Sequence, residues 1–273
     1  MDLSSYTPIY VRTTGDDAND GLTVGSPKCM AQSAYDAAVA AGTGNYVLDF
    51  GAGSFGMILL AANWPARIAL RGAGATSSFL GGINGAGIAA GGTLDDDGNF
   101  TAEWDSSAGY NIELVGDGIS LGAISTSGGN GSSTDFGWGS YPLGRDGGSI
   151  NITGCSMGAV SSSGGYGWST AGNAGSIELV GCQAGDIYAA GGALYAAYYY
   201  DTPSSGNNVA LTDSTSGAIS TPGGYTDASW DCGPAGNTTI HGHFIFHKGT
   251  TYNTLLVIGS DWIAPDILGA GLL

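Results

Sequence analysis

The sequence predicts an all-β solenoid, and three observations predict it. One short unit is written several times: NIELVGDGISLGAISTSGG from Asn111 to Gly129, SINITGCSMGAVSSSGG from Ser149 to Gly165, SIELVGCQAGDIYAAGG from Ser176 to Gly192, and NVALTDSTSGAISTPGG from Asn208 to Gly224. A fifth copy starts at TTIHG and drifts. Within each unit apolar residues alternate with period two rather than 3.6, which is the pattern of strands. The first bend of each unit falls at Gly116, Gly154, Gly181, Asp213 and Gly242, in steps of 38, 27, 32 and 29 residues. Steps of that size with inserts of variable length describe a stacked repeat.

If each copy is one coil, like positions stack about 4.8 Å apart. Ile150, Ile177 and Val209 then form one inward ladder, Ile152, Leu179 and Leu211 a second, and Ile124, Val160, Ile187 and Ile219 a third. Cys155 and Cys182 stack as well, and so do the Gly-Gly pairs. Cys155 and Cys182 read as small core residues rather than a disulfide, because in-register side chains point the same way. No coil has a core of its own, so apolar area is buried only by stacking, at roughly 25 cal/mol per Å².

Composition narrows the function. The chain has 273 residues, 51 of them glycine without a G-X-Y period, so a collagen helix is excluded. Its 42% hydrophobic and 10% aromatic content predicts a folded chain rather than a disordered tract. A net charge of −17, with six Lys plus Arg against 23 Asp plus Glu, disfavours nucleic acid and anionic membrane surfaces as partners. The start, MDLSSYTPIYVRTT, does not read as a signal peptide, and no apolar run is long enough to cross a membrane. A single elongated domain over 1–273 is expected: 1–45 an opening strand and cap helix, 46–242 the coils, 243–273 a cap or assembly segment.

Thr7 to Lys28 reads as a strand followed by a loop of Gly, Asp and Asn. Ser26 is the expected N-cap of a helix with Pro27 at its first position, and Met30, Ala34, Ala37, Ala38 and Ala41 lie on one face. Such a helix would cover the open end of a solenoid. TLDDDGNFTAEW, Thr93 to Trp104, reads as a hairpin, because its glycine and acidic positions do not fit a calcium loop.

The order YVRTTGDDANDGLTVGSPK, helix, NYVLDFGAGSFG, RIALRGAGATSSFLGG resembles the N-terminal part of right-handed parallel β-helix proteins of the bacteriophage tail fibre and tailspike type. The resemblance implies an all-β, right-handed parallel β-helix with a short N-terminal capping α-helix. It further implies a virion or extracellular surface location and a homotrimer. Adhesins, lyases, glycosidases and structural fibres share this architecture, so it does not choose among them.

Inserts leave the units after Gly-Gly and carry 11 of the chain's 27 aromatic residues. Trp138, Tyr141, Tyr166, Trp168, Tyr199, Tyr225 and Trp230 are the candidate ligand-binding residues, accompanied by Asp135, Asp146, Asp201, Asp227 and Asp231. Flat rings can lie against the C–H faces of sugars while carboxylates accept bonds from their hydroxyls. Leaving from one corner of successive coils, the inserts should line one edge suited to a cell-surface polysaccharide or other glycan. The same rings could instead pack on one another beneath the loops.

A glycosidase would need two carboxylates at a set separation, for which Asp135 and Asp201 are the candidates. A lyase would need a nearby base, and Arg145 is the lone Lys or Arg between Arg71 and Lys248. His241, His243 and His247 lack the cysteine or carboxylate companions of a metal site, and no cofactor motif is present. The expected function is a noncatalytic glycan-recognition or structural fibre module. The alternatives are a polysaccharide-degrading glycosidase and a purely structural surface solenoid.

Overall fold

A computed structural model describes residues 3–89, 106–131, 143–167, 170–194, 204–224 and 233–241, together with the backbone of 91–94, 100–104, 244–245, 254–258 and 262–263. Among the described residues it is nearly all β, with one helix. Two parallel sheets dominate, one of nine strands and one of eight. In the nine-stranded sheet the order is Thr7–Val11, Tyr46–Phe50, Ile68–Arg71, Ile112–Asp117, Ile150–Thr153, Ile177–Val180, Val209–Thr212, Asn237–His241 and Thr254–Ile258. Strands neighbour one another in the order in which successive repeats supply them, so each repeat adds one rung to the sheet.

The expected ladders form in register and extend further than the repeat alone indicated. Ile112, Ile150, Ile177, Val209 and Thr238 make one column, and Leu114, Ile152, Leu179, Leu211 and Ile240 the next. On the second sheet the column is Ile58, Ile83, Ile124, Val160, Ile187 and Ile219. None of these side chains is more than 2% exposed. One contiguous core thus runs between the sheets, and deleting any rung would leave a cavity against both neighbours. Pairing also continues past Gly242, where Thr254–Ile258 joins Asn237–His241 in parallel.

The bends between the two sheets need a left-handed residue. Gly154 and Gly181 supply it at φ 78° and 62°, and Asp213 takes the same role at φ 48°. In the first clear copy that residue is Gly118, at φ 61°, rather than Gly116. Val115 pairs with Thr153 and Ser120 with Ser156, so this coil uses four residues where the next uses two. Gly116 instead makes room for the Cys155 thiol of the following coil.

The helix spans Ala31–Ala40, later than Ser26 and Pro27 implied. Pro27 and Lys28 are used otherwise: the Lys28 amide donates to the Tyr10 carbonyl (2.9 Å) and the Arg12 amide to the Lys28 carbonyl (2.9 Å), which covers the edge of the first strand. Asp17 reaches in from the loop, its Oδ1 accepting the amides of Cys29 (3.0 Å) and Met30 (2.8 Å) just ahead of the helix. Its buried face is Ala31, Ala34, Tyr35 and Ala38, while Met30 and Ala41 are exposed. Tyr35 sets that rotation by packing on Trp64, with ring centroids 4.9 Å apart. The Thr93–Trp104 stretch is an antiparallel hairpin, Gly91–Leu94 against Phe100–Trp104.

The Gly-Gly pairs do more than bend the chain. After each second-sheet strand the backbone stays extended as an outgoing arm and later returns as a second arm before the next first-sheet strand. Outgoing arms bond along the stack, Gly128 N–H to Ser163 O (2.8 Å), Gly164 to Ala190 O (2.9 Å) and Gly191 to Pro222 O (2.9 Å). Returning arms do the same, Gly147 to Asn173 O (2.9 Å) and Gly206 to Pro234 O (3.0 Å). The two rows are then tied to each other by Gly129 to Ser107 O (2.9 Å), Gly148 to Thr126 O (2.7 Å), Gly165 to Arg145 O (2.8 Å), Gly192 to Gly172 O (2.9 Å) and Gly224 to Ser204 O (2.8 Å).

This two-row lattice explains the composition. A Cβ on Gly109 would run into the Thr126 carbonyl oxygen, and one on Gly164 into that of Gly172. Only glycine lets the rows approach closely enough for backbone to satisfy backbone. Buried hydroxyls stitch the same layer: Thr126 Oγ1 donates to Gly148 O (2.6 Å), Ser162 Oγ donates to that same oxygen (2.5 Å) and accepts from Gly175 N–H (3.0 Å), and Ser204 Oγ donates to Gly192 O.

Candidate functional site

Each pair of arms opens at its far end into one of the inserts, and the described residues on either side fix where those inserts begin and finish. Gly131 N–H donates to Tyr166 O (2.6 Å), and Gly167 N–H donates to Ala193 O (3.1 Å), with Gly167 and Leu194 bridged in parallel. On the returning side Gly144 N–H donates to Thr170 O (2.8 Å). Departure points of successive inserts are therefore hydrogen-bonded neighbours, one strand spacing apart, about 4.8 Å. The last pair of arms among the described residues is closed by Gly233 N–H on Gly224 O (2.8 Å).

Of the candidate residues, Tyr166 lies within the described structure. It is 42% exposed at the start of its insert, with its amide donating to Asn130 Oδ1 (2.9 Å). Asp135, Trp138, Tyr141, Trp168, Tyr199, Asp201, Tyr225, Asp227, Trp230 and Asp231 lie outside the described residues, and so do His243 and His247. Asp146 is placed, and it serves the arms: its Oδ1 accepts from the Asn173 amide (2.6 Å) and from the Asn173 side chain (3.3 Å). Arg145 likewise turns its Nε to the Ser106 carbonyl (3.0 Å). His241 ends a strand, its carbonyl accepting from the Asp213 amide (2.9 Å).

Cys155 and Cys182 are buried free thiols in successive coils. Burial pushes both thiols above their ordinary range; for Cys155 the neighbouring Cys182 adds to the effect, and for Cys182 backbone hydrogen bonds oppose it. Neither is poised as a nucleophile. Among the described residues no group of three or more His, Cys, Asp or Glu is arranged to hold a metal ion.

Two features went unread in the sequence. Tyr188 stands 42% exposed on the outer face of the second sheet, its hydroxyl 3.5 Å from Asp186 Oδ2. Alternation around Ile187 is the signal that points it outward. The arms are the second: Gly-Gly recurs on both sides of an insert, as at Gly128-Gly129 and Gly147-Gly148, but which backbone each pair meets is not written in that recurrence.

No family model matches the chain, and no curated protein matches it. Among solved structures it is similar to pectin methylesterase PemA from Erwinia chrysanthemi, at 13% identity and a TM-score of 0.35, over 94% of this chain and 81% of that one. At that TM-score the likeness carries no argument about activity, and the parallel stacking of this chain rests on its own strand register.

Proposed function

We propose that this chain is a noncatalytic recognition module that presents aromatic and acidic inserts to a cell-surface glycan. The observation that supports it is the anchoring of successive inserts on hydrogen-bonded neighbours, Gly131 on Tyr166 and Gly167 on Ala193. A rigid glycine lattice carrying loops rich in Trp and Tyr is an economical way to build an elongated contact edge, since the scaffold is indifferent to what the loops contain. Its coils wind right-handed, as parallel crossovers nearly always do. In this reading the chain is a fibre or tailspike-type module of a virion or extracellular surface, acting as a homotrimer.

The test is a glycan-array screen of the whole chain, with tryptophan fluorescence titration of each hit and an assay for released oligosaccharide. Saturable binding that quenches Trp and releases nothing is the expected result. Release of sugar would make Asp135 and Asp201 catalysts instead. Failure to bind any glycan on a broad panel would leave a structural fibre as the better reading.

A further inference from the structure

Charge is distributed unevenly along the stack. Residues 1–89 hold four Lys plus Arg and six Asp plus Glu, a net of −2, which leaves −15 for residues 90–273. From Ser106 to His241, the coils that carry the inserts, there are ten Asp plus Glu and one basic residue, Arg145. Glu113, Asp117, Asp146, Glu178, Asp186 and Asp213 are all exposed on these coils. Both ion pairs among the described residues belong to Asp49, with Arg12 and Arg71, at the other end of the stack.

On the outer face of the nine-stranded sheet Glu113 and Glu178 stand in one column with Asn151 between them, two rungs or about 9.6 Å apart, which is inside the Debye length of about 30 Å at 10 mM salt. At low salt their carboxylates therefore act together on an approaching polymer rather than one at a time. We propose that the glycan accepted by these coils carries no acidic groups: neutral chains bind, and chains bearing uronate, sialate or phosphate are turned away by the coils' own field. This rests on the recognition reading above and specifies its ligand class.

The experiment compares matched probes on the whole chain: neutral galactan against polygalacturonate, and array glycans against their sialylated counterparts, each at 10 mM and 500 mM NaCl. Neutral probes are expected to bind with little dependence on salt. Their acidic counterparts should bind at least about tenfold more weakly at 10 mM, with the gap narrowing at 500 mM as screening shortens the field's reach. The combined variant Glu113→Gln, Glu178→Gln, Asp186→Asn, which alters no insert, should narrow the gap at low salt. An acidic probe bound as tightly as its neutral partner at 10 mM NaCl overturns this inference while leaving glycan recognition standing. Binding to none of the probes or array glycans overturns both.

Discussion

Thr238 occupies a rung that is Ile or Val in the four preceding coils, and its buried Oγ1 is without a hydrogen-bond partner. A buried hydroxyl left unpaired costs about 1–3 kcal/mol, so Thr238→Val is expected to stabilise the fold by about 1 kcal/mol. Thermal unfolding followed by circular dichroism would show it, and an unchanged or lowered midpoint would refute it. The two buried thiols give a pH dependence whose sign follows from their raised pKa values. Below the ordinary thiol range both folded and unfolded chains keep the proton and stability is level. Above about pH 8.5 the unfolded thiols ionise while the buried ones do not, so stability falls as pH rises. Urea midpoints at pH 7 and pH 10 should differ in that direction, and the difference should shrink in Cys155→Ala, Cys182→Ala.

Glycines act through two different causes at the level of turns and arms, and a pair of substitutions separates them. Gly181 has φ 62° with open space around the position of a Cβ, so Gly181→Ala tests conformation alone and should cost about 1–2 kcal/mol. Gly164 meets the Gly172 carbonyl instead, and its arm cannot retreat without breaking bonds to both rows. Gly164→Ala should therefore destabilise by more than Gly181→Ala, about 3 kcal/mol or beyond. Equal losses in chemical denaturation would mean that the arms are looser than their hydrogen bonds indicate. The N-terminal helix shows the same division of labour: its start is set by Asp17, thirteen residues upstream of Met30, and not by the local Ser-Pro signal.

Across the whole molecule, the sheets bury their ladders in one core and the arms bond backbone to backbone along the stack. Trp138→Ala and Trp230→Ala are expected to weaken glycan binding by at least about tenfold while leaving the unfolding midpoint nearly unchanged. A fall in the midpoint with unchanged binding would show instead that these rings are packed within the fold.

By itself the sequence determined the sheets. Alternation of period two and recurrence of Ile, Val and Leu at like positions specify which residues face inward and which stack, since each apolar column is buried only by its neighbours. Three things were decided by tertiary structure. The first helix turn was set by a carboxylate arriving from the loop, the left-handed bend of the first clear coil moved to Gly118 through a two-residue insertion, and the Gly-Gly stretches became a two-row lattice. None is legible locally, for one reason: glycine and short polar residues have no side chain pattern of their own, and what they do depends on which backbone comes to lie beside them.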